Sequence, residues 1–131
     1  MNLDQLKQSV FQKVNEYRVS QNLSPLKLDS IVTQPSQQHS QNMATGNVPF
    51  SHNGAEQRFD TISNKISYQK IAENVGYNSG YNNPAEKVVE GWIKSDGHRK
   101  NMLGDYNLTG IGVAKNDKGE YYFTQIFVRS R

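Results

Sequence analysis

At 131 residues, with 34% apolar and 21% charged side chains, the chain has the size and composition of one globular domain spanning residues 1–131. Its net charge of +3 is spread along the sequence, with no basic run interleaved with aromatics, so nucleic acid is not an expected partner; a mildly basic surface is drawn instead to anionic envelopes, cell-wall polymers or lipid headgroups. The absence of cysteine excludes disulfides, thiolate metal sites and a cysteine nucleophile.

The N-terminal segment is polar and already helical in pattern, with neither a signal-peptide profile nor an apolar stretch long enough to span a bilayer. The chain is therefore read as not transmembrane, and as either cytoplasmic or an exported protein that has lost its leader. From Leu3 to Val19, the positions Leu3, Leu6, Val10, Phe11, Val14 and Tyr17 recur at three- and four-residue steps, which predicts an amphipathic helix. Ser24-Pro25 ends it. Asp29 suits the N-cap of a second helix running toward Ala44 with Gly46 as its stop, and Pro35 is expected to kink that helix or delay its start.

Residues 46–54 are dense in turn formers, which places His52 on a loop, and a short helix over Ala55–Ile62 follows. Glu73 interrupts the apolar stretch Ile71–Tyr77, read as strand-like or irregular, before a loop over 78–83. Pro84 fits the first turn of a helix whose buried face is Val88, Val89, Trp92 and Ile93 and which carries Glu90. A helical turn near His98–Leu103 comes next. Gly110–Ala114 and Tyr121–Val128 flank the turn Asn116-Asp117-Lys118-Gly119, a hairpin signal. The order predicts an α+β domain in which helices cover a small antiparallel sheet.

Two of the three histidines, His52 and His98, lie in polar glycine-containing segments, where functional side chains concentrate. His39 sits on the second helix beside Ser40 and reads as a packed, hydrogen-bonded residue. Glu73 is flanked by Ile71, Ala72 and Val75, and Glu90 by Val88, Val89 and Trp92, so each carboxylate falls inside an apolar block. Two imidazoles and two carboxylates suit a zinc-like ion held by His52 and His98, with Glu73 and Glu90 as further ligands, orienters or bases for a bound water. Equally open on spacing alone, Glu90 pairs with Lys87 or Lys94 along its helix and Glu73 caps a loop. No His-Glu-x-x-His run and no Gly-x-Ser-x-Gly elbow is present.

The blocks Phe50-Ser51-His52, Ala72-Glu73-Asn74, Val88-Val89-Glu90-Gly91-Trp92, Ser95–Leu103, Thr109–Val113 and Tyr122–Phe127 occur in the order seen in the CAP superfamily, also called the SCP domain. That superfamily joins cysteine-rich secretory proteins, insect antigen 5 and plant pathogenesis-related 1 proteins. The resemblance covers nearly the whole chain. With no cysteine and with Gly97-His98-Arg99-x-Asn101-x-Leu103, the chain resembles the bacterial branch. The resemblance implies an α-β-α sandwich and a cleft of two His and two Glu, the roles falling on His52, Glu73, Glu90 and His98 as a candidate catalytic tetrad. It also implies zinc or another divalent cation on the histidines, no organic cofactor, and a monomer at the cell envelope or outside the cell. Asp96 stands where proline is common in bacterial members, beside His98.

Family membership leaves the activity open. The leading expectation is a domain that binds a metal and a ligand or partner (lipid, sterol, peptide or cell-wall component) without efficient catalysis. One alternative is a hydrolase or peptidase using metal-bound water or a Ser-His-Glu grouping with Ser51 or Ser95. The other is a sterol or lipid carrier with an apolar groove near Tyr77, Tyr81 and Tyr106.

Overall fold

The computed structural model describes residues 2–131. Helix α1 (Leu3–Ser20) opens on a capping box: Asn2 Oδ1 accepts from the Gln5 amide at 2.8 Å and Gln5 Oε1 from the Asn2 amide at 2.9 Å. Its buried stripe is Leu6, Val10 and Val14, one residue per turn, and Arg18 continues it. The Arg18 guanidinium is buried and donates to the carbonyls of Ser24, Met102, Gly104 and Tyr106, which ties α1 to the segment entering the hairpin. Burial holds its pKa below the ordinary arginine value, offset in part by Asp105.

Strand β1 (Lys27–Leu28) leads into α2 (Ser30–Ala44), whose N-cap Asp29 accepts from the Ile31 and Val32 amides at 2.8 and 3.3 Å. Pro35 does not delay the start of α2. Contacts with the sheet offset the backbone bond that proline removes: Ser40 Oγ donates to Gly112 O at 3.0 Å, and Gln37 pairs with Val113 in both directions at 3.0 and 3.1 Å. The helix can lie this close because the strand residues beneath it are Gly110 and Gly112. A Cβ on either would overlap the backbone of α2, at Val32–Thr33 or at Ser36–Gln37.

After α3 (Ala55–Ser63) come β2 (Tyr68–Ser79), α4 (Pro84–Lys94), α5 (Asp96–Met102), β3 (Leu108–Lys115) and β4 (Glu120–Ser130). The β3–β4 turn closes on Gly119 at φ 76°, a left-handed conformation that glycine adopts without strain. Strand order is β1-β3-β4-β2. β3 and β2 flank β4 antiparallel, with Val113 opposite Phe123 and Glu73 opposite Ile126, whereas β1 joins β3 in parallel. The sheet is thus mixed where a wholly antiparallel one was expected, because β1 is two residues long and shows no periodicity in sequence. β2 is also longer than the apolar stretch 71–77 that marked it.

Helices α1, α4 and α5 cover one face around Leu6, Val10, Val88, Trp92, Phe123 and Phe127. α2 and α3 cover the other around Val32, Ile62, Ile126 and Val128. The result is an α-β-α sandwich, each fully buried side chain of this kind contributing about 1.5–3 kcal/mol. Tyr106 is part of the first core, its ring 5.7 Å from that of Phe127, and does not share the exposure of Tyr77 and Tyr81.

Candidate functional site

Strand β2 lies at a sheet edge, and side chains alternate between its two faces. Glu73 stands opposite Ile126 in register and so points toward the α2/α3 layer; Asn74 and Gly76 point toward α4 and α5. The candidate site is assembled around this edge, with His52 reaching it from the loop before α3 and His98 from α5.

The Glu73 side chain is 2% exposed and is held by three donors. Arg58 of α3 grips it as a fork, Nε to Oε2 at 2.6 Å and Nη2 to Oε1 at 2.7 Å, and His52 Nδ1 meets Oε1 at 2.9 Å. The same guanidinium donates to the Asn53 and His52 carbonyls at 2.9 and 3.2 Å, fixing the loop that carries the histidine. Its Nη1 also lies 3.1 Å from His39 Nδ1, and His39 Nε2 lies 2.8 Å from the Ser51 carbonyl.

These partners determine the imidazole tautomers. A carboxylate only accepts, so neutral His52 carries its proton on Nδ1 and leaves Nε2 bare. A guanidinium only donates, so His39 has a bare Nδ1 and donates from Nε2 to Ser51. Burial, reinforced by Arg58 and His52, lowers the His39 pKa against the opposing pull of the Ser51 carbonyl and Glu73. One arginine therefore sits between two histidines of opposite tautomer.

His98 is oriented by different groups. Its Nδ1 lies 2.8 Å from Ser95 Oγ, and its ring stacks on Trp92 with centroids 6.4 Å apart. The Asn74 amide donates to the His98 carbonyl at 3.2 Å, and Asn101 donates to Asn74 Oδ1 at 2.9 Å and to the Glu73 carbonyl at 3.3 Å. The edge of β2 is thereby tied to α5. Burial, and then the nearness of His52, lowers the His98 pKa and favours its neutral form. Asp96 leaves this imidazole alone: its exposed carboxylate engages Arg99 at 2.6 Å.

Glu90 stands apart. It is exposed on the outer face of α4 with Glu86, Lys87 and Lys94, and no ion pair within 4 Å joins it to either lysine among the described residues. The expectation that it is buried among Val88, Val89 and Trp92 is corrected, since those three face the core and residue 90 is rotated away from them. The side chain that orients His98 is Ser95. Among the described residues, no group of three or more His, Asp or Glu side chains is placed to hold a metal ion.

Arg58, Asn74 and Asn101 are the site residues that sequence reasoning passed over; Ser95, weighed there as a nucleophile, is placed against His98 Nδ1. A signal existed for Arg58, which lies one turn before the buried Ile62 on the same face of α3. His39 is packed, as its helix position implies, but its partner is the clamp itself. Behind the clamp, Gln34, Gln38, His39, Gln57, Arg58 and Thr61 line a cavity of about 460 Å³ between α2 and α3.

The cysteine-rich secretory protein family, CAP, has a model that matches residues 11–127. Two Bacillus subtilis proteins are similar to this chain: YlbC, described as an uncharacterized membrane protein, is 32% identical over 88% of the chain, and the uncharacterized protein YkwD is 35% identical over 91%. The chain spans 32% and 45% of their respective lengths. The crystal structure of an extracellular protein containing a SCP domain from Bacillus anthracis superposes with a TM-score of 0.77 at 28% identity, over 97% of this chain and 41% of that one.

Proposed function

The chain belongs to the cysteine-rich secretory protein (CAP) family, and we propose that it serves outside the cytoplasm as a binding domain whose cleft takes a divalent cation on His52 and His98. One observation carries the reading: each imidazole has its Nδ1 committed, to Glu73 or to Ser95, so Nε2 is the nitrogen left for a ligand. Neutral imidazole nitrogen suits zinc, and partners on the far nitrogen are what orient such ligands. The extracytoplasmic placement rests on the family and on the extracellular protein of B. anthracis.

The site so read is an open two-histidine one completed by water, since no group of three or more His, Asp or Glu is gathered among the described residues as a hydrolytic zinc centre requires. Glu73 and Ser95 hold the ligands in place. When bound, the cation supplies a Lewis-acidic point for an oxygen of the partner molecule. Binding is favoured over hydrolysis because Glu73, the carboxylate that meets His52, is buried and already engaged by the Arg58 fork and the imidazole, which makes it a weak base for a bound water. Ser51 does not supply a nucleophile to His52 either: its Oγ donates to the Pro49 carbonyl and accepts from the Asn53 amide.

Zinc at a hundredfold excess over its dissociation constant should stabilise the fold by about 2.7 kcal/mol, a melting-temperature rise of several degrees. The rise should vanish in the His52→Ala/His98→Ala double variant. An unchanged melting curve for the native protein would refute the cation reading.

A further inference from the structure

We propose that the aromatic cluster Phe50, Tyr77 and Tyr122, with the polar groove beside it, is a subsite for the pyranose rings of a neutral glycan strand. The proposal is independent of the cation reading. The loop that brings His52 to Glu73 also carries Phe50, and four residues along the same face of β2 from Glu73 stands Tyr77. Phe50 meets Tyr77 at 5.8 Å and Tyr122 at 6.5 Å between ring centroids, while Tyr77 and Tyr122 stack at 5.2 Å with 26° between their planes. Phe50 and Tyr77 are 50% and 48% exposed. Large apolar side chains held together at the surface mark a contact site more often than scattered ones do.

The chemistry beside the rings identifies the occupant. A groove of about 620 Å³ runs from Tyr122 to the β3–β4 turn, lined by Thr45, Lys115, Asn116, Lys118 and Glu120. Its charged residues, Lys115 and Lys118 against Asp117 and Glu120, cancel, so the groove offers nothing for an anionic membrane surface to recognise. It offers hydroxyl, amide and mixed-charge groups suited to sugar hydroxyls. The turn is also rigid: Asn116 Oδ1 accepts from the Lys118 and Glu120 amides at 3.0 and 3.1 Å, and Asn116 Nδ2 donates to Glu120 Oε1 at 2.7 Å. The half-exposed, mutually tilted Phe50 and Tyr77 rings offer electron-rich surface to the weakly positive C–H face of a pyranose, and a preformed polar rim orients it at little entropic cost.

The test is co-sedimentation of the purified protein with cellulose, chitin and Gram-positive peptidoglycan, alongside phosphatidylcholine and phosphatidylglycerol vesicles. At least one glycan should deplete the protein from solution, and Tyr122→Ala or Phe50→Ala should weaken that binding about tenfold. Phe50 lies on a surface loop, so its variant keeps the fold, verified by an unchanged melting temperature, and Tyr122→Ala should retain the zinc-induced stabilisation. Failure to bind any of the three glycans, binding that ignores both substitutions, or binding to the vesicles alone would each overturn the proposal.

Discussion

Replacing Arg58 by alanine is expected to cost about 3–5 kcal/mol of stability, because it leaves the Glu73 carboxylate buried without its counter-ion. The loss extends beyond one ion pair. The guanidinium donates to both Glu73 oxygens, to the Asn53 and His52 carbonyls and to His39, so its removal frees the loop that positions His52. Arg58→Lys should recover only part of the stability, since an ammonium cannot bridge both carboxylate oxygens in one plane. Urea denaturation with unchanged m-values is the measurement. Equal stability of wild type and Arg58→Ala would show that the clamp is not a structural element.

Gly112→Ala is expected to cost about 3 kcal/mol or more, or to prevent folding, because the added methyl meets the backbone of α2 at Ser36 and Gln37 and no rotamer change can relieve it. The same substitution at Gly91, which lies in α4 with nothing within 4 Å of the new Cβ, should instead stabilise by about 0.5–1 kcal/mol through helix propensity. The contrast separates close packing of α2 on β3 from a general intolerance of side chains at glycine. Parallel thermal melts of the two variants decide it, and melting temperatures that move together would contradict the packing account.

The two glutamates show why part of the site was legible in sequence and part was not. Both interrupt apolar blocks, but the same neighbours mean different things in different elements. In a strand, residues two apart share a face, so Ile71 and Val75 flanking Glu73 correctly signal burial. In a helix, Val88, Val89 and Trp92 turn away from residue 90, whose true neighbours three and four positions away include Glu86, Lys87 and Lys94; the signal there was solvation.

Charged residues on buried stripes were the other blind spot. Arg18 continues the row Leu6, Val10, Val14, and Arg58 shares a face with Ile62, yet a hydrophobicity pattern records both as polar positions. Each is buried because it gathers carbonyls or a carboxylate that are distant in sequence, and spacing does not report such contacts. The layers, the hairpin strands β3 and β4 and the long helices α1, α2 and α4 were readable from their apolar patterns, whereas β2 read only as strand-like or irregular and the seven-residue α5 as a helical turn. The two-residue β1 had no period to read.

The account rests on Arg58 and Glu73 fixing His52 so that its Nε2 is left for a ligand, and long-range 1H–15N correlation of the histidine side chains tests this most directly. In its neutral form His52 should be protonated at Nδ1 and bare at Nε2, and neutral His39 should show the reverse. A proton on His52 Nε2 or on His39 Nδ1 would contradict the network of one arginine between two histidines of opposite tautomer.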